Sequence, residues 1–155
     1  MNILKDKDEI LMDKDEIKEY IPHREPFLFV DEVLEFEPYK SIVALKTFPA
    51  TEEFFRGHFP GHPVLPGVIL TEALAQTAAV LLAASVSKDE NAIDLEGCYL
   101  MGLDKVKFRK VVNPEDEIRL EVDILRLRSK IVTFAGRAYV AKSKAAEAEF
   151  MATFY

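Results

Sequence analysis

A run of twenty residues, Gly67–Val86, is Ala-rich and almost wholly apolar, and from Pro60 to Ser87 the only Asp, Glu, Lys or Arg is Glu72. At 1.5 Å per residue this run makes a helix about 30 Å long, enough to cross a small domain. Pro66 and Gly67 stand where such a helix opens, and Pro is tolerated in a first turn. A helix apolar nearly all round has no face to present to water, so the rest of the chain must cover it on most sides. The length would also suit a bilayer span. Glu72, Gln76 and Thr77 inside it, and strands of soluble type on either side, favour a helix wrapped by protein.

The remaining sequence supplies the wrapping. Ile118, Leu120, Val122 and Ile124 alternate with Arg119, Glu121 and Asp123, the period of a half-buried strand. Leu125 and Leu127 reverse that phase, which predicts a bulge or strong bend near Ile124. Further strands are expected in Ile93–Phe108, in Ile131–Ala141 and in a last segment where Ala148, Phe150, Ala152 and Phe154 alternate. Ahead of the long helix the pattern predicts a short helix over Asp15–Tyr20, ended by Pro22, strands over Phe27–Phe36 and Ser41–Phe48, and a constrained loop over Ala50–Pro66 with Gly57, Pro60, Gly61 and Pro63. The fold class expected is α+β, a long central helix wrapped by a curved, mainly antiparallel sheet, in one domain over residues 1–155. Asp-Lys-Asp-Glu-Ile occurs at Asp6–Ile10 and again at Asp13–Ile17, two copies being too few for a solenoid. Residues 1–12 read as an N-terminal extension, with Met12 as an alternative start.

The net charge of −7 argues against a general nucleic-acid binder, which needs a basic face. A single cysteine, Cys98, permits no intramolecular disulfide and suggests a reducing compartment. The N-terminus is charged and lacks an apolar core of signal-peptide length, so a cytoplasmic protein is expected. Cys98 reads as a small buried thiol rather than a nucleophile, since no histidine lies close to it in sequence.

Chemistry points to Glu72 and His58. A carboxyl in an apolar helix is costly to bury and tends to titrate high. His58 stands on the stiff loop Gly57–Pro63 just upstream and adds a second titratable group, so the two suit an acid and a base. Taken alone, His58 reads more readily as a loop-capping residue, and Glu72 as a capping or pairing one, though no cation lies near it in sequence. Gln76, one turn on from Glu72, either orients it or hydrogen-bonds in the core. His58 and His62 are four apart and His23 is a third imidazole. The Pro and Gly between His58 and His62 break helical ligand spacing and no fourth ligand is evident, so no metal is expected. His23 reads as a turn-fixing residue.

Three segments carry a specific resemblance: Pro22-His23-Arg24-Glu25-Pro26-Phe27-Leu28-Phe29-Val30-Asp31, Gly57-His58-Phe59-Pro60-Gly61-His62-Pro63-Val64-Leu65-Pro66-Gly67-Val68, and Glu72-Ala73-Leu74-Ala75-Gln76, with Leu103–Arg109 fitting later. In order and spacing they resemble the (3R)-hydroxyacyl-[acyl carrier protein] dehydratases of bacterial type II fatty acid synthesis, the FabZ type, from about Asp13 to the C-terminus. The resemblance implies the hot-dog fold, a dimer joined through its sheets, commonly assembled as a trimer of dimers, and an active site shared by His58 of one subunit and Glu72 of the other. It implies dehydration to a trans-2-enoyl product, no cofactor, and a Gly67 amide, with Val68 beside it, that binds the thioester carbonyl. It implies an acyl tunnel, for which Phe59, Tyr99, Leu100 and Phe108 are candidate walls, with Phe54, Val68 and Ile69 also considered and Tyr99 at the gating position. It implies docking of an acidic acyl carrier protein, for which Lys105, Lys107 and Arg109 alternate on one predicted strand face; Arg126, Arg128 and Lys130 are a second cluster. The chain departs from the family pattern at Glu25, His62, Thr71 and Glu115, which bears on chain length and pH optimum more than on the reaction. An isomerising dehydratase, a thioesterase and a non-catalytic acyl-binding module remain as alternatives.

Overall fold

The computed structural model describes residues 10–92 and 95–155. All but Ile10 of the first Asp-Lys-Asp-Glu-Ile copy, most of the N-terminal extension, and the predicted strand start at Ile93 lie outside the described residues. The elements in order are α1 (Lys14–Tyr20), β1 (Glu32–Glu37), β2 (Ser41–Thr47), α2 (Glu53–Gly57), α3 (Gly67–Ser87), β3 (Cys98–Phe108), β4 (Glu117–Arg128), β5 (Ile131–Val140) and β6 (Ser143–Phe154). The strands form a six-stranded sheet in the order β1-β2-β4-β5-β6-β3, every pair antiparallel. The α+β expectation stands: a long helix packed against a curved antiparallel sheet.

α3 is long and apolar enough to cross a membrane, yet 67% of its most apolar window is buried inside the protein's own core. Its few hydroxyls are satisfied locally. Thr71 donates to Gly67 O at 3.1 Å, Thr77 to Ala73 O at 2.8 Å and Ser85 to Leu81 O at 2.6 Å, so the helix buries them without orphaned donors. Ser85 Oγ also accepts the Tyr39 amide at 2.8 Å, which ties the β1–β2 turn to the C-terminal end of the helix. On the sheet side, a Cβ at Gly136 would meet Phe150 at 3.1 Å and Leu74 at 3.3 Å. The glycine lets the sheet approach α3 closely at its centre.

The bulge expected near Ile124 is present as a register shift between Ile124 and Arg126. Other boundaries differ. The constrained loop contains a short helix, α2, which sequence periodicity missed because five residues between turn-forming Pro and Gly show no helical repeat. The predicted strand from Phe27 begins only at Glu32. Phe27 and Phe29 spend backbone groups on the Gln76 side chain instead of a strand neighbour. β3 carries shifts at Leu100/Gly102 and Asp104/Lys107, with Lys105 at φ 51°. The bulge breaks the strict alternation expected for Lys105, Lys107 and Arg109, and Arg109 lies beyond the strand end.

Asp31 closes the Phe27–Asp31 segment onto β2. Its Oδ2 accepts the Thr47 amide at 2.9 Å, and its Oδ1 lies 3.1 Å from Lys46 Nζ and 3.0 Å from Lys14 Nζ. Lys46 is only 5% exposed and its ammonium also sits 5.0 Å over the Phe48 ring. A buried cation is tolerable only while its anion remains. Asp31→Ala is expected to lower the unfolding free energy in urea by about 2 kcal/mol, and Asp31→Ala with Lys46→Met to recover most of that loss. A loss below about 0.5 kcal/mol, the size of an ordinary surface change, would contradict this assignment.

Candidate active site

His58 is the residue at which α2 ends, with φ −133° and ψ 71°. A tight loop follows: Phe59 and His62 exchange backbone hydrogen bonds at 3.0 and 2.9 Å, and Gly61 takes φ +73°, a conformation that favours glycine. The Val64 amide returns to His58 O at 2.9 Å, while His58 Nδ1 lies 2.9 Å from Val64 O. A carbonyl oxygen only accepts, so Nδ1 of the neutral ring carries the hydrogen and Nε2 keeps a free lone pair. The ring stacks on Phe59 with centroids 4.1 Å apart, which further limits its rotation. The loop therefore holds His58 as an oriented proton acceptor.

Gly67 opens α3, and its amide and that of Val68 precede the first helical bonds, made by Ile69 and Leu70 to Pro66 O. Such amides are unpaired and lie at the positive end of the helix dipole. A Cβ on Gly67 would come within 2.8 Å of the Phe108 ring. Gly67, Val68, Phe108 and Arg109 line one open groove of about 450 Å3 together with Val64 and Val111. Four of the candidate residues are thus brought together there.

Glu72 lies further along α3 with its side chain 29% exposed. Its Oε1 accepts from Gln76 Nε2 at 3.0 Å and lies 3.8 Å from His23 Nε2. Among the described residues no hydrogen bond or ion pair joins His58 to Glu72. His23 departs from the turn-fixing role read for it. Arg24 does that work, donating to Ile21 O at 2.9 Å, His23 O at 2.6 Å and Lys18 O at 3.1 Å. His23 Nδ1 is buried without a hydrogen-bond partner among the described residues. Burial holds the His23 imidazole below its ordinary pKa, the Glu72 carboxylate opposing and Arg24 adding to the effect.

His23, Ile21, Ala79, Cys98 and Tyr155 line a cavity of about 150 Å3 beside Glu72. Burial first, then Glu72, pushes the Cys98 thiol up, so it stays protonated and unreactive near neutral pH. The candidate tunnel residues Phe59, Tyr99, Leu100 and Phe108 are largely exposed in the single chain. Tyr99 stacks at 4.9 Å on Tyr155, which lines that cavity. Phe54 packs edge-on to Phe48, and Ile69 packs against the core. The sequence reading missed Ile21, Ala79 and Tyr155 because a cavity wall drawn from distant segments leaves no local pattern. His23 was visible in its motif, and its neighbourhood was not.

The candidate docking cations are partly committed. Arg109 Nη2 lies 2.6 Å from Glu147 Oε1 and Lys105 Nζ 3.5 Å from Glu149 Oε2. Arg109 and then Lys144 pull the Glu147 carboxyl down to about 2. Lys107 has no ion-pair partner among the described residues. Along β3, the last strand of the sheet, stand exposed Tyr99, Leu100, Met101 and Leu103, an apolar row whose backbone pairs with β6 and, among the described residues, has no strand on its other side.

A profile of the FabA-like domain family matches residues 21–149. The chain is 50% identical over 139 residues to the 3-hydroxyacyl-[acyl-carrier-protein] dehydratase FabZ of Caulobacter vibrioides, covering 88% of this chain and 84% of that one. It is 48% identical over 143 residues to the FabZ of Geotalea uraniireducens, covering 92% and 97%. Among solved structures, the dehydratase heterocomplex ApeI:P from Xenorhabdus doucetiae superposes with TM-score 0.77 at 15% identity over 90% of both chains. The virulence protein Cj0977 of Campylobacter jejuni gives 0.68 at 12% identity, covering 100% of this chain and 96% of that one. Both share the fold.

His23 generates a prediction here. Its folded pKa is depressed below 6.5, so the unfolded chain binds the proton more readily. The stability from burying neutral His23 is complete above about pH 6.5 and is lost as pH falls through the lowered folded value. Unfolding midpoints should therefore fall on acidification from pH 6.5, and His23→Gln should flatten that slope. Equal slopes in the two proteins would contradict the assignment.

Proposed function

The chain belongs to the FabA-like domain family, and on that footing we propose that it is a 3-hydroxyacyl-[acyl-carrier-protein] dehydratase of fatty acid biosynthesis. The observation that carries the proposal is the orientation of His58, whose Nδ1 is occupied by Val64 O and whose Nε2 has no hydrogen-bond partner among the described residues. The substrate is a (3R)-hydroxyacyl thioester on acyl carrier protein. His58 Nε2 takes the C2 proton, and charge gathers on the thioester oxygen as the C2–H bond breaks. The Gly67 amide, with Val68 beside it, donates to that oxygen from the positive end of α3. Protonated Glu72 gives its proton to the C3 hydroxyl, which leaves as water with the C–O bonding electrons, and the C2–C3 double bond forms. No electron is transferred to or from the substrate, so the reaction calls for no cofactor.

Within one chain His58 and Glu72 do not meet, which supports a site completed by a second copy. The exposed β3 edge offers the surface for it: two such edges pairing antiparallel would continue the sheet and bury Tyr99, Leu100 and Leu103. Phe59, Tyr99, Leu100 and Phe108 then become walls of an acyl tunnel at that interface. A trimer of dimers is the further assembly. Lys107, with Lys105 and Arg109, forms the landing site for the acidic carrier protein near the Gly67 groove. The location is cytoplasmic.

His58→Ala and Glu72→Gln are each expected to lower kcat/KM for (3R)-hydroxyacyl-carrier-protein substrates by at least about 10³-fold, with unfolding midpoints retained. Resolving products by mass and double-bond position separates the readings. Trans-2-enoyl product identifies dehydration, a cis-3 product an added isomerisation, and free acid a thioesterase. Near-full activity in either variant would remove that residue from the mechanism.

A further inference from the structure

Two cavities share one wall. The first, of about 150 Å3, lies beside Glu72 and takes Ala79 and Ala83 from α3. The second, of about 350 Å3, takes Leu82 and Val86 from the same helix and Leu127 and Val132 from the sheet. Leu95, Phe154 and Tyr155 line both. At 1.5 Å per residue, Ala79 stands about 10 Å and Val86 about 21 Å beyond Glu72 along α3. The cavities therefore follow one another along the helix, leading away from the candidate acid.

Of the shared wall, Tyr155 has the tightest seat. Its carbonyl accepts the Glu96 amide at 2.7 Å and the Gly97 amide at 3.2 Å, and its own amide donates to Gly97 O at 3.1 Å. Its ring folds back over Gly97, where a Cβ would come within 2.5 Å of the hydroxyl oxygen and 2.7 Å of Cζ. A glycine at 97 leaves the room that the phenol fills. Tyr99 stacks on the same ring at 4.9 Å, 21° from parallel. Backbone bonds and a stack thus hold the ring between the two spaces.

An acyl chain running from Glu72 along α3 meets the first cavity and then this ring. An apolar cavity of about 150 Å3 holds a benzene ring, so roughly six carbons fill the first cavity and a longer chain needs the second. We infer that Tyr155 is a specificity-determining residue: it closes the first cavity against the second and so selects short acyl chains over long ones. The inference rests on the dehydratase reading above.

The test reads the ratio of kcat/KM for fourteen-carbon against six-carbon (3R)-hydroxyacyl-carrier-protein substrates. Wild type should favour the shorter one. Tyr155→Ala should raise the ratio by about tenfold or more, the gain from burying about two further methylenes. Tyr155→Phe keeps the ring and should keep the wild-type ratio. Val86→Phe fills the second cavity, and added to Tyr155→Ala it should return the ratio to the wild-type value. An unchanged ratio in Tyr155→Ala, an equal rise in Tyr155→Phe, or a gain that survives Val86→Phe would overturn the inference. Should the Val86→Phe protein fail to fold, the two Tyr155 variants decide. Absence of enoyl product from both substrates with wild type would sink the dehydratase reading instead. Titration with saturated hexanoyl- and tetradecanoyl-carrier protein then tests Tyr155 through Kd alone. The Kd ratio should shift toward the longer chain in Tyr155→Ala, and equal ratios in wild type and variant would overturn the inference.

Discussion

The fold depends on covering a helix that has no polar side. α3 buries most of its surface, and the antiparallel sheet curves to meet it. Glycine at position 136 brings the strands close to Leu74, and Thr71, Thr77 and Ser85 turn their hydroxyls back onto the helix. The same demand isolates Glu72. Its side chain stays partly exposed beside a cavity and finds neutral partners, Gln76 and a His23 that burial keeps short of its ordinary proton affinity. A helix built for burial thus becomes the rigid mount of the candidate acid.

The motif segments serve as mechanical supports for that mount and for His58. In the first, Arg24 ties the turn after α1, Phe27 and Phe29 orient Gln76, and Asp31 anchors the segment on Lys46 and Thr47. In the second, the turn around Gly61 brings Val64 back to His58, so that one carbonyl both aligns the ring and selects its tautomer. Each support decides how one candidate side chain points, Glu72 in the first case and His58 in the second.

Much of this was legible in the residues. The long helix announced itself by composition and the β4 bend by the phase reversal at Leu125, while the candidate acid and base, Glu72 and His58, stood out by their isolation among apolar, Pro and Gly neighbours. What stayed hidden was non-local. The extended stretch at Phe27 looks like a strand by composition, and only the structure shows its backbone turned toward a glutamine on α3. A bulge at Lys105 upset an alternation that counting by twos could not detect. His23 belongs to an obvious motif, yet its contact with Glu72 spans the fold. A single chain also leaves the β3 edge bare, where side chains chosen as tunnel walls stand exposed.

The central claim is that the reacting pair is assembled from two copies. His58→Ala and Glu72→Gln proteins, each inactive alone, would be unfolded together and refolded as a mixture. If the site is shared, half of the randomly paired dimers are mixed, and each of these holds one intact site and one doubly altered site. The mixture should then regain about one quarter of wild-type activity. A mixture as inactive as its parents would contradict the claim, because every site would then draw both residues from a single chain.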